Sequence, residues 1–466
     1  MANYRSVISA ITMAVAYQFA WPLGAFGLIP MFSGPLKKRH FFIWGIVYMG
    51  VLHLFFLQLA DDTHVAVAII LYMLTSIYFG CFYGIGGLAL RAIQLKTGVA
   101  WWWFTPITFP IFEWAKAIGP YGNPHGDFGF IPAAIAHHIP LYGVVGHPAI
   151  GMLIILLNVL IYLAFCQRTY AKHSAVIVLL ILTTMGGVSS PNTPRHEQPI
   201  HVIQTGVDQH KKQTHSAWSS LEQAYLDQLS TLTNGIAIMP ETILPTTISN
   251  RPLFDHLQHL SSHKKIDILF GTFIDNDFNG AVMMRPNNRR QTYKKQQLMP
   301  FGEVLPLGWL LRAIIPSEWL LNDFKRGPYP VIMTTDTIPI RPIICLEGIY
   351  ARFYRMPPTG MVAILANNAW FNHSQAGAKL IQFARVHAAQ HQVPVALSAN
   401  YGESAIIDST GRLMQHHNHH TNAILTDTIV SNQQASIHAR WPWLGVCLIT
   451  GLWALLMFRI RGRLDL

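Results

Sequence analysis

Nucleophilic catalysis needs a nucleophile, a base and a donor for the developing negative charge, and three short stretches of this chain offer one of each. The first is an apolar run that ends in Cys345, with Glu347 two residues later. This order predicts a buried strand that breaks into a sharp turn, where a thiol is held out of a sheet. Because lone cysteines are mostly buried hydrophobic residues, Cys345 by itself indicates catalysis only weakly.

Two charged residues could supply the remaining roles. Glu241 follows a predicted strand, and a carboxylate at a strand end can take the proton of a nearby thiol. Lys295 could lower the pKa of such a thiol and donate to an oxyanion, with Glu303 anchoring its ammonium. Glu347 could support the site or serve a second proton transfer. Taken singly, Glu241 is read more simply as an acid at a helix N-terminus or a solvated loop residue, and Lys294 as part of a solvated basic loop, so only the complementary roles of Glu241, Lys295 and Cys345 favour a shared site.

The composition indicates a membrane protein with room for a water-soluble domain. The chain is 51% hydrophobic and 12% charged, whereas soluble domains carry about twice that charged fraction. Its net charge of +11 favours cytoplasmic loops and anionic lipid headgroups over nucleic acid as the partner. Of the four cysteines, Cys345 alone lies outside the apolar segments, so no disulfide framework is expected. No metal-binding motif appears, and the histidines at 416–420 are read as a solvated turn.

Apolar runs predict eight membrane crossings. An interrupted run at residues 7–36 reads as a short hairpin, and the further runs are 41–60, 65–90, 99–118, 148–166, 173–190 and 441–459. Lysine and arginine then concentrate in the loops of one side, as the positive-inside rule requires of cytoplasmic loops. We therefore expect a multi-pass domain at 1–190, a linker at 191–199, a catalytic domain at 200–440 and a final crossing with a cytoplasmic tail at 441–466. In a bacterium, the catalytic domain would face the periplasm from the inner membrane.

Beyond the linker, short strands alternate with helical patterns, which is typical of an α/β domain with two sheets packed between helices. The predicted strands are 201–204, 235–240, 266–273, 279–284, 338–345, 361–366, 394–399 and 404–408, and a helix is predicted over 216–232.

Two apolar stretches contain further candidate residues. Glu113 and Lys116 are one helical turn apart within an apolar run, so they can form a pair whose role is either functional or structural. Residues 304–322, which include Trp309, are too apolar for an ordinary loop. They fit either a flap that dips into the bilayer above the site or a helix buried in the domain.

The motifs around the three candidate residues resemble those of the nitrilase superfamily. They are Pro-Glu-Thr at 240–242, Lys-x-x-Leu-x-Pro-Phe-Gly-Glu at 295–303 and Ile-Cys-x-Glu at 344–347. With apolar runs before and after this segment, the chain is similar to the apolipoprotein N-acyltransferase family, bacterial enzymes that add the third acyl chain to lipoproteins. The sequences at 367–371 and 400–402 extend the resemblance.

This resemblance implies an α-helical membrane domain plus an α/β nitrilase-like αββα sandwich. It implies that Glu241 is the base, Lys295 the oxyanion donor and Cys345 the nucleophile, with Glu303 and Glu347 in support. A phospholipid would give its acyl chain to Cys345 as a thioester, and an amine, first of all the N-terminal cysteine of a lipoprotein, would accept it without metal or soluble cofactor. Candidate substrate-binding residues are Glu113, Trp309, Trp370 and Asn400.

The sequence departs from the family pattern where the acceptor would be handled. Leu346 replaces a tyrosine, Asn368 replaces an aspartate, and two family arginines correspond to Val393 and Leu397. The pattern also resembles the conjugal-transfer TraB proteins, which have the same architecture. A membrane-tethered carbon-nitrogen hydrolase that uses water as the acceptor is a further alternative, and so is a non-enzymatic envelope scaffold.

Overall fold

The computed structural model describes residues 2–33, 37–61, 65–166, 196–207, 212, 214–247, 252–306, 308, 323–371, 374–432 and 434–464. Contacts group the chain into two compact units, Met1–Ser189 with Ser436–Leu466, and Ser190–Ala435. The helices are α1 (Ala2–Gln18), α2 (Ile29–Phe32), α3 (Lys38–Leu52), α4 (Val65–Thr97), α5 (Thr105–Lys116), α6 (Tyr142–Cys166), α7 (Trp218–Ser230), α8 (Leu253–Lys264), α9 (Ala376–His391), α10 (Ile437–Arg440) and α11 (Leu444–Leu464).

The first unit is helical because its sequence consists of long apolar runs. Within the described residues, α4 and α6 are each long and apolar enough to cross a membrane. Together, α3 and the 3-10 segment that follows it are also long and apolar enough to form one span, bent by 50°. The predicted run at 99–118 forms α5 after a 3-10 turn, and the 12 residues of α5 are fewer than the ~20 that a crossing needs. The predicted run at 173–190 lies outside the described residues.

The chain turns back on itself after α1. Helix α1 ends at Gln18, and a 3-10 turn with Pro22 at its start follows at Trp21–Ala25, because proline cannot continue a helix that needs its N–H group. The Ser9 hydroxyl then donates to the Gly27 carbonyl at 2.7 Å. The segment that contains α2 therefore lies beside α1, and the predicted break near Trp21 is observed.

The second unit contains two six-stranded sheets. Its strands are β1 (His196–Gln204), β2 (Ile236–Ile238), β3 (Asp267–Ile274), β4 (Phe278–Met284), β5 (Arg290–Lys294), β6 (Met333–Thr334), β7 (Pro339–Ile344), β8 (Met361–Ala366), β9 (Val395–Ala399), β10 (Ser404–Ile407), β11 (Leu413–His417) and β12 (Ala423–Ser431). One sheet has the order β12-β1-β2-β3-β4-β5 and the other β11-β10-β9-β8-β7-β6. β1, β2 and β3 run parallel, as do β7, β8 and β9, and the outer strands are antiparallel.

Apolar side chains hold these layers together. One core lies between the sheets and includes Ile238 and Leu269 of the first sheet with Ile344 and Leu365 of the second. A second core joins the outer face of the first sheet to α7 and α8. Helix α7 buries one stripe at Trp218, Leu221, Tyr225 and Leu229, which is the helical period that the sequence shows.

Helix α9 contacts β9 and β10 on the second sheet. The four layers are thus helices, sheet, sheet and helix. This arrangement confirms the predicted αββα sandwich.

Candidate active site

The candidate residues converge because each follows the end of a strand. Glu241 comes shortly after β2, Lys295 directly after β5 and Cys345 directly after β7. β2 belongs to one parallel set and β7 to the other, and the carboxyl ends of parallel strands in an open sheet form one edge where ligands bind. The sandwich therefore brings residues that are 54 and 50 positions apart in sequence to one place.

Cys345 occupies a strained position. Its φ angle is +49°, in the left-handed region that a non-glycine residue adopts at a cost of about 1–3 kcal/mol. The chain changes there from β7 to the 3-10 turn Cys345–Ile349. This turn keeps Cys345 only partly buried, whereas β7 ends in fully buried residues. The sharp turn after an apolar strand is the feature that the sequence predicted.

The segment that carries Glu241 is held against the neighbouring strand β3. Thr242 has a φ of +49°, and Gly271 in β3 lies so close that a Cβ atom there would be 2.5 Å from the Thr242 nitrogen. Only glycine fits at position 271 without moving this turn. From behind, the buried Lys212 donates to the Glu241 carbonyl oxygen at 3.1 Å. Burial lowers the pKa of Lys212 to about 7, although the charge of Glu241 opposes this shift.

Lys295 lies between two carboxylates and is almost completely buried. Its Nζ is 2.9 Å from a carboxylate oxygen of Glu303 and 3.4 Å from Oε1 of Glu241. Glu303 is itself held by the Met299 N–H, which donates to Oε2 at 2.8 Å. The predicted anchoring of Lys295 by Glu303 is therefore observed, and Glu241 shares the same ammonium.

The electrostatics of this cluster keep the thiol protonated at rest. Burial raises the pKa of Cys345 to about 12, helped by the charge of Glu241, and the positive charge of Lys295 offsets only part of the rise. Burial also acts to lower the pKa of Lys295, but the charges of Glu303 and Glu241 outweigh it, so the lysine stays cationic. The arrangement suits a thiol that gives its proton to a neighbouring carboxylate as it attacks.

Glu347 connects the cysteine turn to the lysine segment. Its carboxylate is fully buried and accepts hydrogen bonds from the Tyr293 hydroxyl at 2.7 Å and from the backbone N–H groups of Gln296 and Gln297. Its other oxygen accepts the Ile344 N–H at 2.8 Å. Four donors occupy this carboxylate, which favours support of the site over a second proton transfer.

Two asparagines that the sequence did not single out for positioning organise the site. Asn279 at the start of β4 donates from Nδ2 to Oε1 of Glu241 at 2.7 Å and to Oε1 of Glu303 at 2.6 Å. The only sequence signal was a polar residue at the start of an otherwise apolar strand. The backbone N–H of Asn367, directly after β8, donates toward the Cys345 thiol.

Asn400 is placed near the site but is fully buried. It accepts from the Thr205 hydroxyl at 2.9 Å and donates to Asn367 Oδ1 at 3.2 Å and to the Val207 carbonyl at 2.9 Å. These bonds tie the ends of β1, β8 and β9 together. Substrate binding by Asn400 stays a prediction, and its contacts are those of a residue that fixes the loops.

The other candidate substrate-binding residues lie elsewhere. Glu113, in the first unit, accepts from the Phe128 N–H at 3.0 Å and from the Tyr83 hydroxyl at 3.3 Å. The expected pairing of Glu113 with Lys116 is replaced, because Lys116 forms its ion pair with Asp127 at 2.8 Å. Trp309 lies outside the described residues, as does most of 304–322, and Trp370 lies in a 3-10 turn whose tryptophan side chain is likewise not described.

The histidine cluster is not wholly a turn. His416 and His417 are the last residues of β11, so the turn begins at residue 418, two residues later than predicted. His416 pairs with Glu403 at 2.9 Å. No group of three His, Cys, Asp or Glu side chains that could hold a metal ion is found among the residues that the structure describes.

This chain is similar to known proteins over part or most of its length. A family model described as carbon-nitrogen hydrolase matches residues 236–438. An apolipoprotein N-acyltransferase of Haemophilus ducreyi is 24% identical over 402 residues, which cover 80% of this chain and 78% of that protein. The apolipoprotein N-acyltransferase of Nitrosomonas europaea is 24% identical over 82% of this chain and 80% of its own. A solved CN-hydrolase superfamily protein of Xanthomonas campestris is 18% identical, with a TM-score of 0.41, and covers 53% of this chain and 96% of that one.

The second unit is thus a carbon-nitrogen hydrolase domain with a nitrilase-like fold, and the chain has the features of an enzyme of this kind. Over most of its length the chain resembles the apolipoprotein N-acyltransferases, which confirms the resemblance inferred from its motifs.

Proposed function

We propose that this protein is a membrane acyltransferase that moves a fatty acyl chain from a phospholipid to an amine through a thioester on Cys345. The observation that carries the proposal is the buried cluster of Lys295 with Glu241 and Glu303, whose charges act on the thiol of Cys345. Each member has one role in acyl transfer. The similarity to apolipoprotein N-acyltransferases supports the lipid donor and makes the N-terminal amine of a lipoprotein the first acceptor to test.

In the first half-reaction, the Cys345 sulfur attacks the ester carbonyl of the phospholipid while Glu241 takes the thiol proton. Lys295 donates to the oxyanion of the tetrahedral intermediate. Collapse of the intermediate breaks the ester C–O bond, and the proton passes from Glu241 to the departing alkoxide. The products are a thioester on Cys345 and a lysophospholipid.

In the second half-reaction, a neutral amine attacks the thioester carbonyl and forms the amide bond. The C–S bond breaks, the amine loses a proton to Glu241, and the sulfur is protonated again. No step requires an oxidant or an external nucleophile other than the amine. If water replaced the amine, the same residues would act as a hydrolase and release a fatty acid.

We further propose that the catalytic domain at 200–440 faces the periplasm from the bacterial inner membrane, anchored by the crossings within 1–190 and 441–466. The apolar helices α4 and α6 support the membrane part of this proposal. The alternative is a conjugal-transfer protein of the TraB type that uses a different acceptor. The departures from the family pattern at Leu346, Val393 and Leu397 are the reason to keep this alternative.

The experiment uses purified protein with a phospholipid carrying a labelled acyl chain. We expect a hydroxylamine-sensitive acyl adduct on Cys345 in mass spectra, and its transfer to an added lipopeptide amine. Cys345→Ala should lose the adduct while still inserting into membranes, and Cys447→Ala is the matched control because that cysteine lies in α11. Full activity of the Cys345→Ala protein would exclude the covalent mechanism, whereas release of labelled fatty acid without transfer would favour the hydrolase.

A further inference from the structure

One amide in the site contacts both acidic residues and none of the reacting atoms. Asn279 is 3% exposed, and both hydrogens of its Nδ2 are used, one for Glu241 at 2.7 Å and one for Glu303 at 2.6 Å. The same two carboxylates share the ammonium of Lys295. Two anionic side chains are therefore bridged twice, once by a cation and once by a neutral donor.

The orientation of this amide is fixed by its neighbours. If the amide were flipped, its carbonyl oxygen would face two carboxylate oxygens, and acceptors repel acceptors at these distances. In the observed orientation, Oδ1 is buried and accepts no hydrogen bond from the residues that the structure describes. Leaving the buried Oδ1 atom without a donor costs free energy of folding. The two hydrogen bonds from Nδ2 to the acids must offset this cost.

The backbone of the same residue holds the lysine. The Asn279 carbonyl oxygen accepts the Lys295 N–H at 2.9 Å, so β4 fixes the start of the lysine segment while its side chain fixes the two acids. Both donors to Glu241 reach its Oε1, and within the described part of the chain Oε2 receives no hydrogen bond. The bridge consequently leaves one carboxylate oxygen for a proton.

We infer that Asn279 is a positioning residue that keeps Glu241 and Glu303 side by side and directs the vacant oxygen of Glu241 to the proton of Cys345. This inference rests on the proposed role of Glu241 as the base. A donor to an anionic carboxylate favours its charged form, and a nearby like charge disfavours it. Without the amide, repulsion between the two acids would push the Glu241 carboxylate away from its place beside Lys295 and so impair it as a base.

The charged and titratable groups around this bridge come from four parts of the fold. They are Glu241 after β2, Lys295 after β5, Glu303 and the buried Lys212, with Cys345 after β7 as the group that reacts. Lys295 brings a positive charge to this cluster and Glu303 a carboxylate, while Lys212 holds the Glu241 backbone carbonyl. Asn279 adds a donor without adding a charge, which distinguishes its effect from that of either lysine.

The test follows the reaction of Cys345 with iodoacetamide in the full-length protein between pH 5 and pH 9, because this reaction needs no lipid or acceptor. Mass spectrometry of the Cys345 peptide separates it from the other cysteines. At the lower end of this range the thiol must give its proton to Glu241, whereas rising pH forms thiolate without that help. We expect Asn279→Ala to lower the rate about tenfold at pH 6 and by a smaller factor at pH 9, because a misplaced Glu241 carboxylate is bypassed as free thiolate forms.

Two further variants keep the result interpretable. Asn279→Asp retains the side-chain shape and replaces the donor with a third carboxylate, so it should show the same pH-dependent loss of rate even if the alanine variant folds poorly. Thr272→Ala is the control, since Thr272 in the adjacent strand donates to the Thr246 carbonyl at 2.9 Å. Its rate should follow that of the wild type at every pH.

The outcomes separate this inference from the proposed function. Wild-type rates in Asn279→Ala and Asn279→Asp, or an equal loss of rate at every pH, would overturn the positioning role and leave the acyltransferase proposal standing. A Glu241→Gln protein that reacts at the wild-type rate at pH 6 would overturn Glu241 as the base and the inference with it. Acyl transfer itself is judged separately, by the adduct formed with labelled phospholipid.

Discussion

At the scale of single residues, the site combines a protonated nucleophile with two acids, Glu241 and Glu303, that share the ammonium of Lys295. The charge of Glu241 and burial together raise the pKa of Cys345 to about 12, so the fraction of free thiolate at neutral pH is very small. A thiol in this state reacts slowly with adventitious electrophiles. It becomes nucleophilic when Glu241 accepts its proton during attack, and a bound ester carbonyl places an electrophile where that attack can occur.

Lys295 can be tested against its own neighbour. Lys295→Met should lower the rate of Cys345 acylation by about 10²–10³-fold, because it removes the oxyanion donor and a positive charge that lowers the pKa of the thiol. Lys294→Met is the matched control. The Lys294 ammonium pairs with the exposed Asp275 at 2.8 Å and lies over the Phe278 ring, and it forms no ion pair with Glu241 or Glu303 among the described residues.

The measurement is a single-turnover time course with labelled phospholipid at saturating concentration. We expect the Lys294→Met rate to remain within about threefold of the wild type, as for an exposed ion pair. If Lys295→Met acylated Cys345 at the wild-type rate, Lys295 would be a structural counter-ion for Glu303 and the oxyanion would need another donor.

At the scale of the elements, the sequence predicted those parts of the site that are apolar and regular. β8 was predicted at its observed limits, Met361–Ala366, and β7 within one residue at each end, because both are short apolar runs in the interior of a parallel sheet. The turn after β7 followed from the glycine and the end of the run. Cys345, Glu241 and Lys295 could therefore be named from the sequence.

Two of the strands that were missed, β5 and β11, are polar, whereas β12 was missed although its sequence contains several apolar residues. β11 is mostly exposed and ends in His416 and His417, and β5 consists of Arg290–Lys294, so neither shows a hydrophobic period. Their pairing with β10 and β4 is a tertiary contact that local sequence does not encode. For the same reason the bridge by Asn279 could not be predicted, since it depends on two acids that are 62 residues apart.

Glu347 holds the turn that carries Cys345 against the segment that carries Lys295. Its removal should therefore affect stability and activity together. Glu347→Ala would leave four buried donors on Tyr293, Gln296, Gln297 and Ile344 without their acceptor. We expect the free energy of unfolding of the catalytic domain to fall by about 3 kcal/mol or more, since each unsatisfied buried donor costs about 1–3 kcal/mol. The Cys345 adduct should decrease in parallel.

Denaturant unfolding, followed by the fluorescence of the full-length protein in detergent, measures this loss. The control is Asp277→Asn, which weakens a surface ion pair with Lys325 and should change stability by less than about 1 kcal/mol. A Glu347→Ala protein with wild-type stability but no adduct would instead place Glu347 in proton transfer.

At the scale of the whole molecule, the proposal depends on which side of the membrane holds the catalytic domain. The apolar runs alternate with loops, and the positively charged loops all lie on one predicted side of the membrane. They contain residues 37–39, Arg91 with Lys96, Arg168 with Lys172, and the tail from Arg459 onward. The loops at 61–64 and 119–147 contain neither lysine nor arginine. Lipid insertion retains such lysine- and arginine-rich loops in the cytoplasm, so the long segment after residue 190 should be translocated.

Fusions of alkaline phosphatase, which is active only outside the cytoplasm, test this orientation. A fusion near residue 210 should be active, and a fusion near residue 95, beside Lys96, should be inactive and serve as the matched control. The reversed pair of activities would invert every loop assignment and place Cys345 in the cytoplasm. Since an acceptor that has already been exported could not then reach the thioester, that result would also remove the lipoprotein amine as the natural acceptor while leaving acylation of Cys345 open.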